Sequence, residues 1–153
     1  MTALGDFSSG DVLTAADLNA IGTWTTFTPS WNNLTVGNAT QDWSYCIIND
    51  FMVVTGTIVF GSTTAMGTSP SMTIPDSRVA DKWSINGGVL LRENGVATRI
   101  GVASVSGPSD STIGFNAYLV SGSDVRVTSI TASAPFTWGT NDYLSATIIL
   151  DVT

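Results

Sequence analysis

Asn49-Asp50, set between residues 40–48 and residues 51–60, constrains this chain more than any other feature. Both flanking runs are rich in β-branched and aromatic side chains. Asn and Asp tolerate the positive φ that a two-residue hairpin turn demands, so the three segments predict a β-hairpin. Within its second arm, Phe51-Met52-Val53-Val54 is apolar at consecutive positions. A strand that is apolar on both faces lies centrally in a sheet or against another subunit.

Similar signals continue downstream. Ser71-Met72-Thr73-Ile74-Pro75 reads as a short strand ended by proline. Residues 88–92 and 96–104 predict a second hairpin about Glu93-Asn94-Gly95, and residues 112–119, 125–130 and 143–152 add further strands. Residues 61–70 are small and polar and read as a surface loop. About eight or nine short strands with regular turn signals predict an all-β chain, an antiparallel β-sandwich or jelly roll.

The N-terminal segment is of another kind. Thr14 is placed to cap the amide of Asp17, whose carboxylate can reach back to the amide of Thr14. Leu13 and Leu18 occupy the two positions of a hydrophobic staple, and Gly22 supplies a stop. The predicted short N-terminal helix, residues 15–21, is too short to persist alone in water. It must dock, and Phe7, Leu13, Leu18 and Ile21 are the candidate docking side chains. Residues 1–23 are thus expected to form a docking arm, and residues 24–153 the β head. Met1-Thr2-Ala3-Leu4-Gly5-Asp6 has neither the basic nor the apolar region of a signal peptide. No apolar run approaches the roughly 20 residues of a membrane-spanning helix.

Composition bears on function rather than fold. The chain has no His, one Cys (Cys46), one Lys (Lys82) and one Glu (Glu93). Proton transfer and nucleophilic catalysis near neutral pH lean on those groups, so a contact protein is expected, not an enzyme, and no cofactor is called for. The formal net charge is -7, and Arg78, Lys82, Arg92, Arg99 and Arg126 are scattered. Phosphate recognition needs clustered cations, so neither nucleic acid nor an anionic membrane is an expected partner. Asp76 and Asp81 lack the spacing of a calcium loop, and no metal site is expected. Asn33-Leu34-Thr35 and Asn38-Ala39-Thr40 match a glycosylation acceptor, a pattern common by chance in such a chain.

Charged residues are only 11% of the chain, against about 25% in an ordinary domain. With a mean hydropathy of +0.27, apolar surface must be covered somewhere, and sister subunits are the expected cover. Trp43, Phe51 and Val53 are the first candidates for that homo-oligomer contact. Trp31, Trp43 and Trp138 sit in strand or turn contexts that favour core or interface. Trp83, in the polar run Asp81-Lys82-Trp83-Ser84, is the candidate for stacking on a ligand. Cys46, within Tyr45-Cys46-Ile47-Ile48, reads as a small buried hydrophobe.

Four blocks carry a resemblance. Phe27-Thr28-Pro29-Ser30-Trp31-Asn32-Asn33-Leu34-Thr35-Val36-Gly37-Asn38 resembles the opening of β-rich head domains of bacteriophage tail and fibre proteins. Val59-Phe60-Gly61-Ser62-Thr63-Thr64, leading to Ile74-Pro75, is similar to the next block, and Pro135-Phe136-Thr137-Trp138-Gly139-Thr140-Asn141-Asp142-Tyr143-Leu144 to the closing strand. Gly10-Asp11-Val12-Leu13-Thr14-Ala15-Ala16-Asp17-Leu18-Asn19 resembles a segment near the start of phage tail proteins. The resemblance implies a homotrimeric head on the virion exterior, made in the bacterial cytoplasm, joined to other tail or capsid proteins and facing a host receptor or glycan. A capsid decoration protein is the competing expectation.

Overall fold

The computed structural model describes residues 22–153, together with Val12 and Thr14. Phe7, Leu13, Leu18, Ile21 and the helix expected at residues 15–21 lie outside the described residues. The described strands are β1 (Thr25–Phe27), β2 (Trp31–Thr35), β3 (Thr40–Ile48), β4 (Phe51–Val59), β5 (Ala65–Thr73), β6 (Ser84–Glu93), β7 (Ala97–Val105), β8 (Thr112–Ser121), β9 (Asp124–Ser129) and β10 (Tyr143–Asp151). A 3-10 turn, Pro75–Ser77, follows β5.

All pairings are antiparallel, and they run without a break in the order β1-β3-β4-β10-β6-β7-β8-β5-β2, with β9 added beside β8. A sandwich or jelly roll would divide its strands between two facing sheets. Here one continuous sheet curls into a half-barrel and packs against itself. The expected first hairpin is its spine: β3 and β4 pair from Thr40↔Val59 to Ile48↔Phe51 about Asn49, whose φ is 57°. The second hairpin, β6 with β7, also lies where the turn residues put it.

Period-two alternation decides what faces the concave side. On β4 Met52, Val54 and Ile58 are buried, and on β10 Leu144, Ala146, Ile148 and Leu150. With Trp43, Leu91, Ile113, Phe115 and Ile130 they form one core cluster. Gly56 is the small member of the row. It lies directly opposite Trp43, and the Trp43 indole occupies the space that a Cβ on Gly56 would need.

The two ends of the sheet meet through side chains. Trp31 on β2 packs edge-on to Trp43 (centroids 5.9 Å apart) and against Phe115 on β8 (5.5 Å), and its indole N–H donates to Gln41 Oε1 at 2.7 Å. β2 also pairs with β5, where the sequence predicted a surface loop over residues 61–70. That loop ends at Thr64. Ala65 to Pro70 enter the sheet because Met66 and Pro70 face inward, and a register shift opposite Asn33 (φ 56°), with Ser69 at φ 56°, absorbs the irregular spacing.

Candidate interaction surface

The convex face of the sheet carries the unusual surface. Leu90 is paired with Ile100, and Tyr118 lies one position beyond the Gly101↔Ala117 pair, which sets it beside Ile100. Tyr118 is opposite Val127 and Val120 opposite Val125. These six side chains span four neighbouring strands and are all exposed, Ile100 to 64% and Val120 to 76%. Contiguous exposed apolar patches of this kind are typical of interaction sites.

A second patch lies at the other end of the same face. Phe51 is paired with Ile48, and Val53 with Ile149; Phe51, Ile48 and Ile149 are each about half exposed and Val53 is half-buried. Between the patches runs a band of hydroxyls. Thr55 Oγ1 and Thr147 Oγ1 are 3.2 Å apart, Thr57 Oγ1 donates to Ser145 Oγ at 2.9 Å, and Ser145 Oγ donates to the Gly56 carbonyl at 3.1 Å. The band satisfies itself and needs no partner.

Because Trp31 brings β2 against β3, the sheet has turned through a large angle. The steps from β3 to β9 cover six interstrand spacings of about 4.8 Å, roughly 29 Å of arc. The Phe51 patch lies on β3, β4 and β10 and the Ile100 patch on β6 to β9. Beside the larger one, Gly88, Leu90, Ile100, Ser145 and Thr147 frame a shallow hollow of about 350 Å³. A Cβ on Gly88 would meet nothing within 4 Å, so the missing side chain is what leaves the hollow open.

The expected site residues fall in different places. Phe51 and Val53 belong to the convex face. Trp43, expected at a subunit contact, is 1% exposed and lies in the core of its own chain, with no surface left for a sister copy. Parity explains it: Trp43 shares the inward face of β3 with Tyr45 and Ile47. Trp83 is 73% exposed and its indole rests against Gly107, but it does not frame the Gly88 hollow. Its neighbour Lys82 donates to Asp151 at 3.0 Å and lies 3.4 Å from Asp81; the Asp151 hydrogen bond is the main reason its pKa is raised. Trp138 stacks on Phe60 at 4.9 Å and donates to the Thr131 carbonyl. Cys46 is buried, as its neighbours imply. Sequence reasoning missed Leu90, Ile100, Tyr118, Val120, Val125 and Val127, although alternation within β6 to β9 was the available signal.

No group of three or more His, Cys, Asp or Glu converges among the described residues. No helix among them is long and apolar enough to cross a membrane. Asp76 and Asp81 have each turned to a basic neighbour, Arg78 and Lys82. Comparison with protein-family models, curated proteins and solved structures finds no match to this chain.

Proposed function

We propose that this chain is a bacteriophage virion structural protein of the small tail-fibre or tail-tip type. In this reading residues 24–153 form the head of a homotrimer that attaches to the host surface by binding without turnover, and Phe7, Leu13, Leu18 and Ile21 dock the arm to the rest of the virion. The sequence blocks supply the class. The observation that carries the assembly is the pair of separate apolar patches on one convex face. A closed ring needs heterologous contacts, in which two different surfaces of each chain meet. The Phe51 patch of one copy against the Ile100 patch of the next meets that requirement, and three copies then multiply weak head contacts. A capsid decoration protein would use the same ring, and labelling of particles separates the two by location on tail or shell.

The test is hydrodynamic. Sedimentation should give about three times the 16.0 kDa chain mass at micromolar concentration. Phe51→Asp and Ile100→Asp should each disrupt the ring. Mixed together they should yield a heterodimer, since each variant keeps the patch that the other lacks. A monomeric parent chain, or two variants that stay monomeric when mixed, would overturn the heterologous ring.

A further inference from the structure

Where the curl brings β1 and β3 near the end of β5, a cleft of about 600 Å³ opens, within the range of about 300–1,000 Å³ usual for small-ligand pockets. Its chemistry is sorted. One wall is aromatic: Phe27 and Tyr45 meet edge to face at 5.5 Å and 81°. The lining also includes the 3-10 turn after β5 and the residue that follows it, which bring Asp76 and Arg78 side by side, with Arg78 Nε 3.7 Å from Asp76 Oδ2. Thr26, Thr28, Ser77 and Ser111 also line it.

The turn is held in a costly shape. Asp76 (φ 61°, ψ 23°) and Ser77 (φ 56°) are consecutive left-handed residues, neither of them glycine. Each costs about 1–2 kcal/mol against the right-handed alternative. Such conformations persist where the surroundings fix them, and they gather at ligand sites. Both charged side chains of the pair remain partly open, Arg78 to 36% and Asp76 to 50%, so each has hydrogen-bonding capacity that the ion pair leaves unused. Burial first, and the Asp76 carboxylate second, push the Tyr45 phenol above its ordinary value, against opposing effects of Thr25 and Arg78.

The pairing of groups selects the ligand. A carboxylate only accepts hydrogen bonds and a guanidinium only donates. An anion would use Arg78 and be repelled by Asp76, and a cation would do the reverse. A hydroxyl both donates and accepts, so two neighbouring hydroxyls engage both groups at once. The aromatic wall suits a partner with an apolar C–H face. We propose that this cleft binds a neutral saccharide, its vicinal hydroxyls on Asp76 and Arg78 and its C–H face on Phe27 and Tyr45. The site lies within one chain, so it stands or falls separately from the trimer.

Saturation-transfer NMR on the full chain, with methyl glycosides of glucose, galactose, mannose and N-acetylglucosamine as probes and sialic acid as an anionic comparison, tests the assignment. At least one neutral glycoside should bind at millimolar affinity or better, with perturbed amides at Phe27 and Tyr45. Asp76→Asn and Arg78→Met should each weaken it about tenfold or more, while Ile100→Asp on the convex face leaves it unchanged. Silence from every neutral glycoside, preference for sialic acid, or binding indifferent to both cleft variants would overturn the proposal. Thermal melts of the two cleft variants should stay cooperative, because both side chains are partly exposed.

Discussion

Gly56→Ala adds one methyl group beneath the Trp43 indole, and two opposed effects set its outcome. In an open strand the change favours folding by about 0.5–1 kcal/mol, because glycine loses more backbone freedom. At Gly56 the new Cβ would stand 2.5 Å from Trp43 Cδ2 and 2.6 Å from Cε3, and would also press on the Asp42 carbonyl oxygen. The carbonyl belongs to the β3–β4 ladder and cannot yield. The indole is boxed in by Trp31 and is 1% exposed, so it has no free volume to swing into. Overpacking of this kind costs about 1–3 kcal/mol, and it wins. The two effects leave a net loss of up to about 2.5 kcal/mol, which lowers the Tm of a chain this size by up to roughly 10 °C. Gly88→Ala is the matched control: nothing lies within 4 Å of its Cβ, so only the backbone gain remains and stability should hold or rise. Both melts belong in the Ile100→Asp background, where association does not raise the apparent stability. If Gly56→Ala melts at or above its parent, the placement of Trp43 over Gly56 is wrong.

Asp142 is a buried carboxylate that accepts the Asn94 amide at 2.8 Å and the Gly139 amide at 2.6 Å, tying the second hairpin turn to the loop before β10. Asp142→Ala should cost about 2 kcal/mol or more in urea denaturation, with faster hydrogen exchange at both amides; unchanged exchange would argue against the clamp. Asp110 gives a pH signature. Burial pushes its carboxyl up, but bonds from the Ser106 amide, the Thr112 hydroxyl and amide, and the Ser111 amide outweigh this and leave it below the usual carboxylate value. A lowered folded pKa contributes stability that is fully present above the unfolded value of about 3.9 and is lost as pH falls through the folded one. Asp110→Asn should therefore flatten the acid limb of the stability profile below about pH 4, and an unaltered limb would refute the assignment.

The two hairpins were legible because their turns are local: Asn49-Asp50 and Glu93-Asn94-Gly95 announce themselves whatever surrounds them. β2 and most of β5 were not. Trp31-Asn32-Asn33-Leu34-Thr35 and the small polar stretch from Ala65 become strands only because each supplies the other's ladder, through a bulge that spoils the alternation. The facing of β3 was ambiguous for a different reason. Trp43, Tyr45 and Ile47 occupy one parity and Cys46 and Ile48 the other, so both sides carry apolar groups and only the register with Gly56 decides which turns inward. The cleft left no trace in spacing, since Phe27, Tyr45, Asp76 and Arg78 come from distant segments that meet when the sheet curls.

That curl also limits the strand edges open to pairing with another chain. Among the described residues, the terminal strands, β1 with three residues and β2 with five, expose few unpaired amides, and the further margin at β9 carries Asp124 and Arg126 in ionic contact at 3.4 Å. Short or charged borders give a stray strand little to zip onto. Borders of that kind, on a chain whose net charge of -7 also sets copies against one another, work against open-ended fibrous growth.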